Sequence, residues 1–176
     1  MGLALGLTLS ACALWQPAPE MMQTAHWSVQ TPAGWMHLST PAYEMLSKDG
    51  PYLQYILIEE RPLTQGFRFT RRKMETGMLP HEAAQVVVDS LSSDPQIRHF
   101  KIVSNEPAGL GGKPGFKLVY TYQDQQGVEV QSIYYGVILP HSFFNLRYTA
   151  TRRYYFPKDL AALRKVYDSV RLSAGL

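Results

Sequence analysis

With a single cysteine in 176 residues, the chain cannot close an internal disulfide, and any stability must come from its core. Nor is there a long apolar run. Met1 to Trp15 falls short of the about 20 residues that cross a bilayer as a helix, and no Lys or Arg precedes it. The basic n-region of a secretory signal is therefore missing, and the expectation is a true start further upstream or a trimmed leader. No Gly-x-Ser-x-Gly announces a hydrolase serine. No helix-turn-helix, zinc-finger or RNA-recognition pattern occurs, which argues against a nucleic-acid partner despite a net charge of +3 and a pI near 9.0. That surplus suits anionic headgroups or an acidic protein. The five histidines are scattered. His81-Glu82-Ala83-Ala84-Gln85 opens like a zinc-protease helix, but Gln85 stands where the second imidazole is needed, so no metal and no cofactor is expected. His81 is read instead as capping a surface turn.

What is present begins at the lone cysteine. Leu9-Ser10-Ala11-Cys12 has small residues next to the thiol and an apolar segment before it. It resembles the lipobox of bacterial lipoproteins. The resemblance implies cleavage before Cys12, lipidation of its sulfur and attachment to the membrane. One acyl chain holds a protein only marginally, at about 0.8 kcal/mol per buried methylene, and the lipoprotein modification supplies two or three. The plainer reading is an apolar N-terminal strand with an incidental cysteine. On the lipoprotein reading, residues 1–11 are signal, 12–25 are the lipidated Cys12 with a Pro-interrupted tether, and 26–176 form one domain facing the periplasm. Ala13, rather than Asp, after the cysteine favours the outer membrane over the inner.

Within the domain, Trp27 to Thr31 alternates and meets a turn at Pro32-Ala33-Gly34. Two β-rich runs, Tyr43 to Ser47 and Tyr52 to Glu60, flank Lys48-Asp49-Gly50-Pro51, a hairpin signal in which both Asp49 and Gly50 can take positive φ. Pro80 opens a helix whose Ala84, Val87, Val88 and Leu91 fall on one stripe, and Asp94-Pro95 ends it. Ile97 to Asn105 alternates, with Phe100 and Ile102 on one face and Lys101 and Val103 on the other. A glycine-rich turn over Gly109 to Gly115 leads into three strands, Phe116 to Tyr122, Val128 to Leu139 and Ser142 to Thr151, which short connections join into an antiparallel meander. A closing helix from Pro157 carries the stripe Leu160, Leu163, Tyr167 and Val170. The expected fold is α+β, a central antiparallel sheet flanked by helices in an α/β/α sandwich.

This order, with Gly111-Gly112-Lys113-Pro114-Gly115-Phe116 ahead of the meander and Tyr167-Asp168-Ser169-Val170-Arg171-Leu172 at the end, resembles the PsbP-like fold shared by DcrB-type bacterial lipoproteins. The resemblance implies an accessory, assembly or binding protein without a catalytic constellation.

Two groups are candidates for partner binding. Arg68, Arg71 and Arg72 lie with Lys73 between Phe67, Phe69 and the helix, in an apparent long loop. They would serve as a contact surface for phosphate or a protein, or as a solvated loop whose phenylalanines dock on the core. Arg152, Arg153 and Tyr154 belong to the densest aromatic and basic stretch, together with Tyr134-Tyr135, Arg147 and Tyr155. Exposed Tyr and Arg anchor interfaces, and the plainer role is to fill the core and shield a sheet edge. Two functions follow as expectations. One is a non-enzymatic, lipid-anchored module that binds an envelope protein, and the other is a carrier enclosing a small apolar ligand or lipid.

Overall fold

A computed structural model of the protein describes residues 14–173. Cys12 and residues 1–11, the expected signal, lie outside them. The elements in chain order are strands β1 (Gln16–Pro17), β2 (Met21–Gln23), β3 (Trp27–Gln30), β4 (Met36–Ser39), β5 (Glu44–Ser47) and β6 (Gln54–Pro62), then helix α1 (Pro80–Ser92). Strands β7 (Arg98–Leu110), β8 (Lys113–Gln123), β9 (Glu129–Ile138) and β10 (Ser142–Thr151) follow, and helices α2 (Tyr155–Lys158) and α3 (Leu160–Ser169) and strand β11 (Arg171–Leu172) complete the fold. Eight strands form one sheet in the order β1-β4-β5-β6-β10-β9-β8-β7, and a small sheet, β11-β3-β2, lies apart from it. Every pairing is antiparallel.

Period-2 alternation decides which side of the large sheet each residue covers. Phe116, Leu118 and Tyr120 of β8 pack with Tyr134 and Phe143 beneath the Ala83, Ala84, Val87 and Leu91 stripe of α1. Phe144, Leu146, Tyr148 and Ala150 of β10 face the other way, onto Trp27 and Val29 of the small sheet and Leu163 and Val166 of α3. Two cores on two faces make the expected α/β/α arrangement. Helix α1 starts as its sequence requires, with Pro80 in the first turn and the Glu82 carboxylate accepting the Leu79 N–H at 2.7 Å. Glu82, not His81, is therefore the capping side chain.

Several expectations are corrected. The stretch from Gln16 to Gln23 is not tether: it pairs with β4 and β3, Met22 is buried, and the Ala18 N–H bonds the Trp35 carbonyl at 2.9 Å. Strands this short have no readable period, and a partner's edge defines them. At the first hairpin only Gly50 has positive φ (112°). The six residues between β5 and β6 are held instead by buried Gln54, whose Oε1 accepts from Ser47 Oγ (3.0 Å) and the Lys48 N–H (3.2 Å). The glycine-rich turn narrows to Gly111-Gly112, both at positive φ (58° and 77°), as a two-residue hairpin demands, while Gly109 and Gly115 lie inside strands. Strand β7 extends to Leu110, and its register slips twice, between Arg98 and Lys101 and between Ile102 and Ser104, so Ile102 and Val103 are both exposed. Pro157 sits within α2, the chain breaks at buried Asp159, and α3 restarts with Leu160 38% exposed and Val166 taking its place in the core.

Candidate functional site: a tyrosine-walled cleft floored by Arg147

Strand β10 runs through the centre of the sheet, and its odd-numbered residues Phe143, Asn145, Arg147 and Thr149 share the face that α1 covers. Helix α1 lies over β7, β8 and β9. Toward β6 the polar residues of this face form rows set by register. Thr149 stands between Tyr55 and Ser132, Arg147 between Leu57 and Tyr134, and Asn145 between Glu59 and Gly136. Ser132 and Thr149 share a hydrogen bond of 2.9 Å, and Asn145 Nδ2 donates to Glu59 Oε2 at 3.1 Å.

A small cavity of about 170 Å³ lies between this face and the loop after β6, lined by Glu59, Arg61, Arg68, Tyr134, Asn145 and Arg147. Arg61 spans its wall: Nη2 donates to the Gly66 carbonyl at 3.1 Å, Nη1 stands 4.0 Å from Glu59 Oε1, and the guanidinium lies 4.2 Å over the Phe67 ring. Arg147 and Asp94 also line a larger open cleft of about 770 Å³ whose walls include Tyr43, Tyr52, Tyr55 and Tyr122. Four buried side-chain atoms among the described residues have no hydrogen-bond partner in the protein, and three of them, Arg61 Nε, Asn145 Oδ1 and Arg147 Nε, belong to residues that line the small cavity. Buried polar atoms are almost always paired. Three of the four gather at this one place.

Tyr120, Tyr122 and Tyr134 are uncharged at neutral pH. Burial pushes the Tyr120 hydroxyl upward, and it does the same more strongly to Tyr134, where the Glu59 carboxylate adds to it. Tyr122 is raised by burial and by Tyr55 and Tyr120 beside it. Burial opposes the charge on Arg147, and the net upward direction of its pKa comes from the neighbouring tyrosines as they ionise, well above neutral pH; at neutral pH the guanidinium is charged as arginines are. On the opposite face Tyr135 is pushed up to about 12 by burial and by Tyr167, whose ring centre lies 4.5 Å away. A folded-state pKa above the unfolded value of 10.0 contributes stability that is complete below that pH and drains away as pH rises beyond it. An absorbance titration will accordingly show these tyrosines ionising only together with a cooperative alkaline unfolding above about pH 10. Independent ionisation near pH 10 in the folded protein would contradict their burial.

The sequence-derived candidates do not converge. Arg68 faces the small cavity, with its guanidinium 5.3 Å over the Phe69 ring. Arg71 is exposed at positive φ (59°), and Arg72 pairs with Asp89 of α1. Phe67 is buried, as a docking loop requires. Arg152 lies just past the far end of β10, 3.6 Å from Glu129, next to exposed Arg153 and to Tyr154, which is 62% exposed. Cys12 is outside the described residues. Sequence reasoning missed Glu59, Arg61, Asn145 and the floor position of Arg147. The available signal was polar side chains at alternate positions of an otherwise apolar strand, which reads as a solvent face when no covering element is known. Among the described residues no cluster of His, Cys, Asp or Glu has metal-binding geometry, and no histidine lines either cavity.

No family model matches the sequence, and no curated protein matches it. Solved structures do. The cyanobacterial PsbP protein CyanoP from Synechocystis sp. PCC 6803 superposes with a TM-score of 0.59 at 11% identity, over 98% of this chain and 99% of that one. LpqN, involved in cell envelope biogenesis of Mycobacterium tuberculosis, gives 0.60 at 15% identity over 91% of each chain. The Saccharomyces cerevisiae Ran-binding protein Mog1p gives 0.58 at 8% identity over 89% of this chain and 96% of that one. The protein has the PsbP/Mog1p fold, an α+β architecture on a large antiparallel sheet. At these identities the likeness is one of architecture.

Proposed function

We propose that the protein is a DcrB-type bacterial envelope lipoprotein, held to the membrane by lipid on Cys12 and acting without catalysis as an interaction or assembly module. The observation that carries this reading is the position of the lone cysteine. Only Ala13, Leu14 and Trp15 separate it from Gln16, the first paired residue of the sheet. Three residues reach about 10 Å at most, so the lipid would hold the folded domain close against the headgroups. A fold shared with LpqN, a protein of envelope biogenesis, supports the setting. Arg152, Arg153 and Tyr154 supply an exposed surface for an envelope protein, with Arg68 and Arg71 as a second basic site. The domain faces the periplasm, on the outer rather than the inner membrane.

Intact mass of the mature protein tests the anchor. Residues 1–11 are expected to be absent and Cys12 to carry diacylglycerol and an N-acyl chain, and Cys12→Ser is expected to move most of the protein from the membrane to the soluble fraction. Recovery of the native protein with its first eleven residues and a bare thiol would overturn the reading. Capture of an envelope partner that Arg152→Glu/Arg153→Glu abolishes tests the surface.

A second reading is favoured by the cleft above Arg147. The carrier expectation had been an enclosed apolar chamber, but both cores are filled with packed aromatics and the large concavities among the described residues open to solvent. A ligand would bind in the open cleft rather than inside the sandwich.

A further inference from the structure

We propose that the Arg147 cleft binds an amphipathic organic anion, its acid group on the Arg147 guanidinium and its apolar body along Tyr55 and Tyr122. This deepens the open-cleft reading and does not depend on the lipid anchor. The argument starts from a missing counter-ion. Arg147 sits in the central strand with Nε sealed from solvent, and no ion pair joins it to a carboxylate among the described residues. A charge drawn partly out of water without a counter-ion is costly.

Among the described residues, no group that faces it forms an ion pair with it. From β6, Tyr55 lies with its ring centre 5.7 Å from the guanidinium carbon, and Glu59 is engaged by Asn145 Nδ2 and stands beside Arg61. From β8 and β9 come Tyr120, Tyr122 and Tyr134, all phenols at neutral pH. From the segment after α1, Asp94 already accepts the Gln96 N–H at 2.9 Å. Asp124, at the mouth of the cleft, accepts the N–H groups of Gln126 and Val128 at 2.9 and 2.8 Å. Arg68 adds a second cation at the small cavity.

The shapes divide the ligand in the same way. The 170 Å³ cavity and the 770 Å³ cleft have Arg147 and Asp94 in common among their lining residues, so an acid group on Arg147 would have room beside it for a chain or ring laid on tyrosine faces. A guanidinium presents parallel N–H donors to a planar carboxylate and is well suited to the role.

Purified protein should be titrated with decanoate below its micelle concentration, with decanol as the uncharged match and with inorganic phosphate as the bare anion, reading tyrosine emission and thermal midpoint. Decanoate is expected to quench emission and raise the midpoint, and the other two to do neither. Arg147→Met is expected to weaken decanoate by at least about tenfold, while melting at or above wild type without ligand, because it removes a half-buried charge that has no ion-pair partner. That second readout separates a ligand role from a structural one, which would lower the midpoint. Equal responses to decanol and decanoate would overturn acid recognition and leave the open-cleft reading. No response to either would remove both. A response to phosphate equal to that of decanoate, or a decanoate response unchanged in Arg147→Met, would also overturn the proposal.

Discussion

Phe144→Ala will lower the stability of the protein by about 3–5 kcal/mol, the range for truncating a large ring in a packed core. Phe144 is fully buried, and its ring centre lies 5.9 Å from that of Trp27, at a tilt of 54°. It projects from the central strand, opposite Glu60 of β6 and Val137 of β9, so neighbours on both sides fix its position. Trp27 belongs to the small sheet, and the pair therefore ties the two sheets together. Neither backbone can collapse into the space without breaking a ladder of hydrogen bonds, which is the condition that puts the cost at the upper end. Urea unfolding should show the midpoint reduced with the slope unchanged. A loss below about 1 kcal/mol would mean that the small sheet does not pack on the large one as described.

Gly115→Ala is the second large effect, and it arises from contact rather than conformation. Gly115 lies inside β8, and a methyl built on it would meet the Gly136 carbonyl oxygen at 2.2 Å and Val137 Cγ1 at 2.8 Å. The first of these is backbone of the paired strand β9, so no rotamer change relieves it, and the strands must separate locally. The expected cost is about 1–3 kcal/mol, the range for overpacking a filled site. Gly109→Ala is the matched control. It lies in the same hairpin, yet the nearest atom to its methyl is the Lys113 carbonyl at 3.6 Å, an ordinary contact. It should be neutral or slightly stabilising, since alanine narrows the unfolded ensemble. Thermal midpoints of the two variants side by side would decide the matter, and equal behaviour would disprove the steric argument.

The parts of the fold legible in the sequence are those whose pattern repeats within one element. Phe116, Leu118 and Tyr120, or Phe144, Leu146 and Tyr148, announce a strand and the side it buries without reference to any other segment, and the stripe of α1 does the same at helical spacing. Gly111-Gly112 marks its turn because two consecutive positive φ angles exclude nearly everything else. Strands β1 and β2 were illegible for the converse reason: two or three residues carry no period, and only the edges of β4 and β3 make them strands. In β7 the bulges shift the alternation, so its apolar residues do not stay on one face.

By itself, then, the sequence determined the central meander and the main helix, because each is local chemistry. The cleft was decided by tertiary structure alone. Its tyrosines and its arginine come from the segments either side of β5 and from β6, β8 and β10, separated by up to about a hundred positions along the chain. Arg147 changes meaning only when α1 and the loop after β6 close over part of its face. Alternation says which side of a strand a residue takes, but whether that side meets water depends on what other segments bring to it.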